Sequence, residues 1–191
     1  MNYKEVGKER LIEIIKEKDK IIDELKSMKI ELMYQACMDN VTGVLNRRAG
    51  LNILETTIYD AARYGENFII CFADIDDFKK INDTFGHGHG DELLMKIGNI
   101  IKANIRKADT VFRIGGDEFV IILPNITLEE ARTICLRVCI RVDELKESDS
   151  NNYRIGLSCG FSEYNCNDKI SASELIRRAD EGMYVNKRAK R

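Results

Sequence analysis

No stretch of this chain approaches the ~20 apolar residues that a membrane-spanning helix requires, which excludes a transmembrane protein of the helical kind. The N-terminus, Met-Asn-Tyr-Lys-Glu, turns into charged helical sequence, so the expected location is the cytoplasm. Charge of one sign is also lacking. Thirty basic side chains stand against 32 acidic ones, for a formal net charge of -2. A chain so balanced has no global field to gather nucleic acid or acidic lipid, and any polyanion it binds is held locally. The six cysteines, Cys37, Cys71, Cys135, Cys139, Cys159 and Cys166, include no C-x-x-C pair, and several lie in apolar runs. They read as buried thiols in a reducing compartment, not as disulfides or zinc ligands. Internal repeats and low-complexity tracts are absent. The length fits one ordinary domain of roughly 150 residues plus an appendage.

The appendage comes first. Residues 8 to about 36 contain no proline or glycine, and Leu11, Ile14, Ile21, Leu25, Met28 and Leu32 recur at spacings near three and four, interrupted by Lys18. A lone helix cannot cover such a stripe, so residues 1–38 are expected to form a coiled-coil dimerisation helix. The stripe could instead pack back on the domain, and a second one through Ile12, Ile15 and Ile22 leaves the register open.

Beyond Asp39 the pattern reads helix, strand, helix, helix, strand, strand, helix, strand, helix. Residues 67–75 form an almost unbroken apolar run that suits a central strand. Residues 111–114 and 119–123 read as a hairpin tipped by Gly115, Gly116, Asp117 and Glu118, and residues 153–161 as a further strand. Helical faces follow over 91–106, 127–145 and the C-terminal segment, with Thr127/Glu130 and Ser171/Glu174 placed as N-terminal caps. This alternation predicts an α+β, ferredoxin-like or palm-type domain over residues 39–191, with helices packed on a mainly antiparallel sheet.

If the central strand and the hairpin are neighbours, Asp74 and Asp76 face Asp117 and Glu118 across one end of the sheet. Crowded carboxylates need a cation, and hard oxygen ligands suit Mg²⁺. Two such ions serve phosphoryl or nucleotidyl transfer. Gly115 and Gly116 would let a phosphate chain approach the backbone. A plain glycine turn with solvated acids is the other reading of this segment taken alone.

Three motifs together resemble the GGDEF family of diguanylate cyclases over residues 39 to 191. They are Asp39-Asn-Val-Thr-Gly-Val-Leu-Asn-Arg-Arg48, with Val41 where leucine is usual; the segment from Asp74-Ile-Asp-Asp-Phe-Lys through Gly-His-Gly-His-Gly-Asp91; and Arg113-Ile-Gly-Gly-Asp-Glu-Phe119. The resemblance implies an enzyme that joins two GTP into cyclic di-GMP and two pyrophosphates across a homodimer. The alternative is an inactive domain of the same kind that only binds GTP or cyclic di-GMP, and a third reading makes the coiled coil the functional part.

On that resemblance Asp74, the Ile75 carbonyl, Asp117 and Glu118 hold Mg²⁺ (or Mn²⁺), two ions per site. Asp117 also helps to deprotonate the attacking 3′-hydroxyl, and Lys79 stabilises phosphate charge. Asn82 and Asp91 read guanine, whose N–H edge suits a carboxylate and whose O6 and N7 suit an amide; Asp91 could equally cap the following helix. His87 sits in a glycine-rich turn near the nucleotide, while a zinc site with His89 is the weaker option for want of a third ligand. Lys187 and Arg191 fall where the family binds terminal phosphates, although Lys190 replaces a usual glycine. Arg106-Lys-Ala-Asp109 matches the family's product-inhibitory R-x-x-D, with Arg137 as a second arginine; a helix-end ion pair is the plain reading of Arg106 and Asp109. The partners implied are GTP, cyclic di-GMP and a second copy of the chain, with no nucleic acid and no membrane.

Overall fold

Periodic apolar residues without proline or glycine dictate one long helix, and α1 runs Lys8–Cys37 in the computed structural model, which describes residues 7–145 and 155–190. None of its 30 residues is buried. Leu25, Met28 and Leu32 in particular stay exposed. The chain divides into two units, Met1–Cys37 and Met38–Arg191. Among the described residues no helix is long and apolar enough to cross a membrane.

The second unit is built on β1, Phe68–Ile75, which is buried along its whole length. β3, Glu118–Pro124, and β4, Leu157–Tyr164, pair with it antiparallel on either side, and β2, Thr110–Arg113, pairs with β3. The sheet order is therefore β2-β3-β1-β4, the ferredoxin-like arrangement expected from the alternation.

Side chains alternate across β1, and each face acquires its own core. Ile69, Cys71, Ala73 and Ile75 pack with Leu94, Ile97 and Ile101 of α4 (His87–Asn104) and with Cys135, Val138 and Val142 of α5 (Leu128–Asp143). Phe68, Ile70 and Phe72 pack with Leu54 and Ala61 of α2 (Arg47–Tyr64) and with Leu175, Ala179 and Met183 of α6 (Ala172–Ala189). The same alternation turns Asp74 toward the α6 side. Each fully buried aliphatic or aromatic side chain here stabilises the fold by about 1.5–3 kcal/mol.

Capping fixes the helix starts. Asn46 accepts from the Ala49 N–H to open α2, Thr127 and Glu130 form a reciprocal capping box on α5, and Ser171 accepts from the Glu174 N–H on α6. α6 lies directly on β4 because Gly160 has no side chain. A Cβ there would meet the Met183 nitrogen at 2.0 Å and the Ala179 oxygen at 2.1 Å.

Two sequence expectations need correction. The glycine-rich run is not a turn: α3 (Phe78–Phe85) is followed after Gly86 alone by α4, which starts at His87, so Asp91 lies inside the helix and is not its N-cap. Packing outweighs the poor helix propensity of three glycines, since Gly90 sits so close to Asn82 of α3 that a Cβ would fall 1.9 Å from Oδ1. The last strand starts later than residue 153 and extends to Tyr164; residues 153 and 154 lie outside the described residues.

Candidate active site

The register of the sheet brings the acids to one end. Asp74 stands opposite Glu118 on β3 and opposite Ser158 on β4, and the Ile75 N–H donates to the Asp117 carbonyl at 3.2 Å. Burial pushes the Asp74 carboxyl above its usual range; Lys187 pulls it down, while Asp117 and Asp76 add to the rise. Burial also raises Glu118, helped by the charges of Asp117, Asp74 and Asp180. These carboxylates therefore repel one another in a partly desolvated place.

Two lysines from the end of α6 reach into the cluster. Lys187 donates to Asp74. Lys190 donates to Asp76 Oδ2 at 3.2 Å and to the Leu157 carbonyl at 2.7 Å, and the Ser158 hydroxyl donates to Asp76 Oδ1 at 2.6 Å. Glu118 folds over Gly115, where a Cβ would fall 2.0 Å from Oε2, so that glycine makes room for a carboxylate. Gly116 has open space around its Cα. Among the described residues, the carboxylate oxygens of Asp74, Asp117 and Glu118 do not all lie within 4.8 Å of one another, and the Lys187 ammonium contacts Asp74. The donors are nevertheless of the kind Mg²⁺ takes, hard oxygens whose repulsion a cation relieves.

Arg113 is the residue that sequence reasoning named only as part of a motif. Its guanidinium donates to the Gly115 carbonyl at 3.2 Å and to the Gly116 carbonyl at 2.6 Å, holding the hairpin tip. A third bond, 3.0 Å long, runs to Asp39 Oδ1, which also accepts from the Thr42 N–H and hydroxyl. The 38–45 segment is tied to the same strand through backbone bonds between Leu45 and both Val111 and Arg113.

The residues expected to meet guanine lie on α3 and α4. Asn82 is half-buried, and among the described residues nothing donates to its buried Oδ1. Asp91 and His87 are exposed on α4, and Lys79 is exposed on α3. His89 packs against the Phe85 ring. Among the described residues no third metal ligand joins the two histidines.

Arg106 and Asp109 form a tight turn. The Arg106 N–H donates to Asp109 Oδ2 at 2.7 Å, the guanidinium lies 3.7 Å from the same oxygen, and Oδ1 is buried without a partner among the described residues. Arg137 of α5 donates to the side chain and carbonyl of Asn104 at the end of α4, two residues from Arg106. Arg191 lies outside the described residues.

Comparison with known proteins gives concordant results. The family model described as "Diguanylate cyclase, GGDEF domain" matches residues 36–191. Diguanylate cyclase DosC of Escherichia coli K12 is 34% identical over 189 residues, 98% of this chain and 41% of DosC. DgcM of the same strain is 36% identical over 163 residues, 85% of this chain and 39% of DgcM. The chain thus spans about two fifths of the length of these curated relatives. Among solved structures, the coiled coil and GGDEF domain of DgcB from Caulobacter crescentus, in complex with c-di-GMP, superposes with a TM-score of 0.84 over 95% of this chain and 96% of that one. At 24% identity that likeness concerns the fold alone. SiaD from Pseudomonas aeruginosa, in complex with its activator SiaC, gives a TM-score of 0.78 at 28% identity, over 95% of this chain and 69% of SiaD.

Proposed function

Because the chain belongs to the GGDEF family of diguanylate cyclases, matched over residues 36–191, we propose that it condenses two GTP molecules into cyclic di-GMP and two pyrophosphates. Each of two copies contributes one bound GTP. The 3′-hydroxyl oxygen of one nucleotide forms a bond to the α-phosphorus of the other, the bond to the β-phosphate breaks, and pyrophosphate departs. Asp117 takes the hydroxyl proton. A second, reciprocal transfer closes the ring.

Asp74, the Ile75 carbonyl, Asp117 and Glu118 would hold Mg²⁺ or Mn²⁺, two ions per site. Such ions, when bound, polarise the phosphate and make the hydroxyl easier to ionise. Asp74 and Glu118, raised by burial first and by neighbouring acids second, support this assignment, since a divalent cation offsets both effects. Lys79, Lys187 and Arg191 take the phosphates, with Lys187 released from Asp74 as nucleotide and ion enter. The orphan Oδ1 of Asn82 suits a guanine N–H, and Asp91 carries the remaining specificity. His87 lies at the rim of the same site.

Two further assignments complete the reading. The uncovered apolar stripe of α1 pairs with that of a second copy, which raises the local concentration of the partner domain toward the millimolar range typical of tethered modules. Arg106, Asp109 and Arg137 bind cyclic di-GMP as feedback; an arginine fork fits guanine O6 and N7.

The observation that carries the proposal is the register placing Asp74 opposite Glu118 beside the Asp117 backbone. The test is incubation with GTP and Mg²⁺ followed by nucleotide chromatography, for the natural chain and for Asp117→Ala. A cyclic dinucleotide from the first and none from the second is expected; equal amounts from both remove Asp117 from the reaction, and none from either leaves a binding domain.

A further inference from the structure

Four of the six cysteines meet at one place. Cys71 on β1, Cys135 on α5 and Cys159 on β4 have sulfurs that all lie within 4.8 Å of one another. Cys139, one turn along α5 from Cys135, has its Sγ 3.8 Å from that of Cys159. The geometry has a simple origin. Cys71 is opposite Phe161 and Cys159 opposite Ala73, so the two are diagonal neighbours on the sheet face that α5 covers. Residues 135 and 139, four apart, share the side of the helix turned toward them.

Small apolar residues would fill this volume equally well, yet sulfurs from three elements meet here. Among the described residues it is the one group of three or more Cys, His, Asp or Glu ligand atoms so closely gathered. Zinc–sulfur bonds of about 2.3 Å put sulfurs about 3.8 Å apart around a tetrahedral ion. For Cys71, Cys135 and Cys159 the observed separations need only a small contraction, while Cys139, which reaches Cys159 but is not in that group of three, would have to turn its sulfur inward to complete the tetrahedron.

We propose that Cys71, Cys135, Cys159 and Cys139 form a binding site for a thiophilic d¹⁰ cation, Zn²⁺, distinct from the carboxylate cluster.

An open groove of about 720 Å³, lined by Arg132, Cys135, Cys139, Cys159, Asn186 and Lys190 among others, leads to the sulfurs from the surface. Cys71 does not line the groove and is fully buried, so an ion reaches it only past Cys135 and Cys159. Binding displaces the thiol protons, and the groove carries Arg132 and Lys190, paired with Glu129 and Asp76 respectively. Hydrogen bonds from Cys159 and Cys71 pull the Cys135 thiol down, whereas contacts with Cys135 and Cys159 together with burial push Cys71 up, and the Cys159 contact together with burial pushes Cys139 up. The ion would also sit near the reactive edge: the Cys159 carbonyl accepts from Asn186, whose neighbour Lys187 contacts Asp74. It would clasp α5 to β4 behind that contact.

The test uses the full chain, reduced with a phosphine and freed of metal, titrated with Co²⁺ and then with Zn²⁺. The expected result is a thiolate-to-cobalt charge-transfer band that saturates at one equivalent per chain and is displaced stoichiometrically by Zn²⁺. Half-buried Cys159 and Cys139 are the positions to vary, with circular dichroism recorded for each variant. Cys159→Ala abolishes the band, Cys139→Ala weakens it, and Cys37→Ala and Cys166→Ala leave it unchanged. No charge-transfer band in the natural chain overturns the proposal. So does an undiminished band in folded Cys159→Ala, or an equal loss in Cys166→Ala.

Discussion

Arg113 and Asp39, separated by 74 positions in the chain, meet through a 3.0 Å charge-assisted hydrogen bond. Asp39 stands two residues beyond the last residue of α1, and Arg113 holds the carbonyls of the hairpin tip. The start of the GGDEF unit and its signature loop therefore share one guanidinium. Arg113→Ala frees both ends and is expected to lower stability by about 2 kcal/mol, the range for hydrogen bonds to charged groups, as read from urea unfolding.

The same pair sets an acid limb of stability. Burial alone would raise the Asp39 carboxyl, but hydrogen bonds from Thr42 and Arg113 prevail and hold it below its usual value. A carboxyl depressed in the folded state contributes stability that is complete above the unfolded value, about 3.9, and that disappears as pH falls through the folded one. Urea unfolding of the natural chain should weaken across that acid window. Asp39→Asn should be less stable near neutrality and flatter below it; parallel curves would contradict the assignment.

Close packing at Gly160 yields a paired prediction. Gly160→Ala drives a methyl into the α6 backbone and should cost about 3 kcal/mol or more. Gly182→Ala, on the facing helix, meets only ordinary contacts at 3.6 Å and beyond, and it should be neutral or stabilising by up to about 1 kcal/mol because alanine is the better helix former. Thermal denaturation distinguishes the two.

Lys187→Ala removes the ammonium on Asp74 and, on the proposed reading, a phosphate contact. A charged contact of about 1.5–3 kcal/mol corresponds to a rise in KM for GTP of about ten- to a hundredfold. An unchanged KM would confine Lys187 to a structural role.

On the proposed reading, replacing Leu25 and Leu32 of α1 by aspartate should leave the GGDEF unit folded and the chain monomeric by light scattering. Turnover at submicromolar protein should then fall at least about tenfold and recover on concentration, because tethering supplied the encounter. Full activity from a dilute monomer would dispose of the dimerisation role.

Much of this architecture is legible in the residues because local signals agree with packing. The unbroken run 67–75 and the Thr127–Glu130 cap announce β1 and α5 directly. The glycine-rich stretch before Asp91 misleads, since tertiary packing against α3 overrides propensity there. The carboxylate end of the sheet is foreseeable from the Asp74 and Asp117 motifs. The contacts of Ser158 and Lys190 with Asp76 are not, because 82 and 114 positions separate the partners and neither serine nor lysine advertises its bond. Cys71 and Cys159 escape linear spacing for the same reason, although the four-residue step from Cys135 to Cys139 hints at a shared helix face.

β1 carries Asp74 while paired along its length on both sides, and its neighbours bear Glu118 and Ser158. A strand so enclosed cannot shift its acid without breaking two ladders at once. On the proposed reading, control by small internal adjustment is thus closed to this domain, and what remains adjustable is how often and in what orientation two copies encounter each other. A change in pairing would then set the rate without any retuning of the acids themselves.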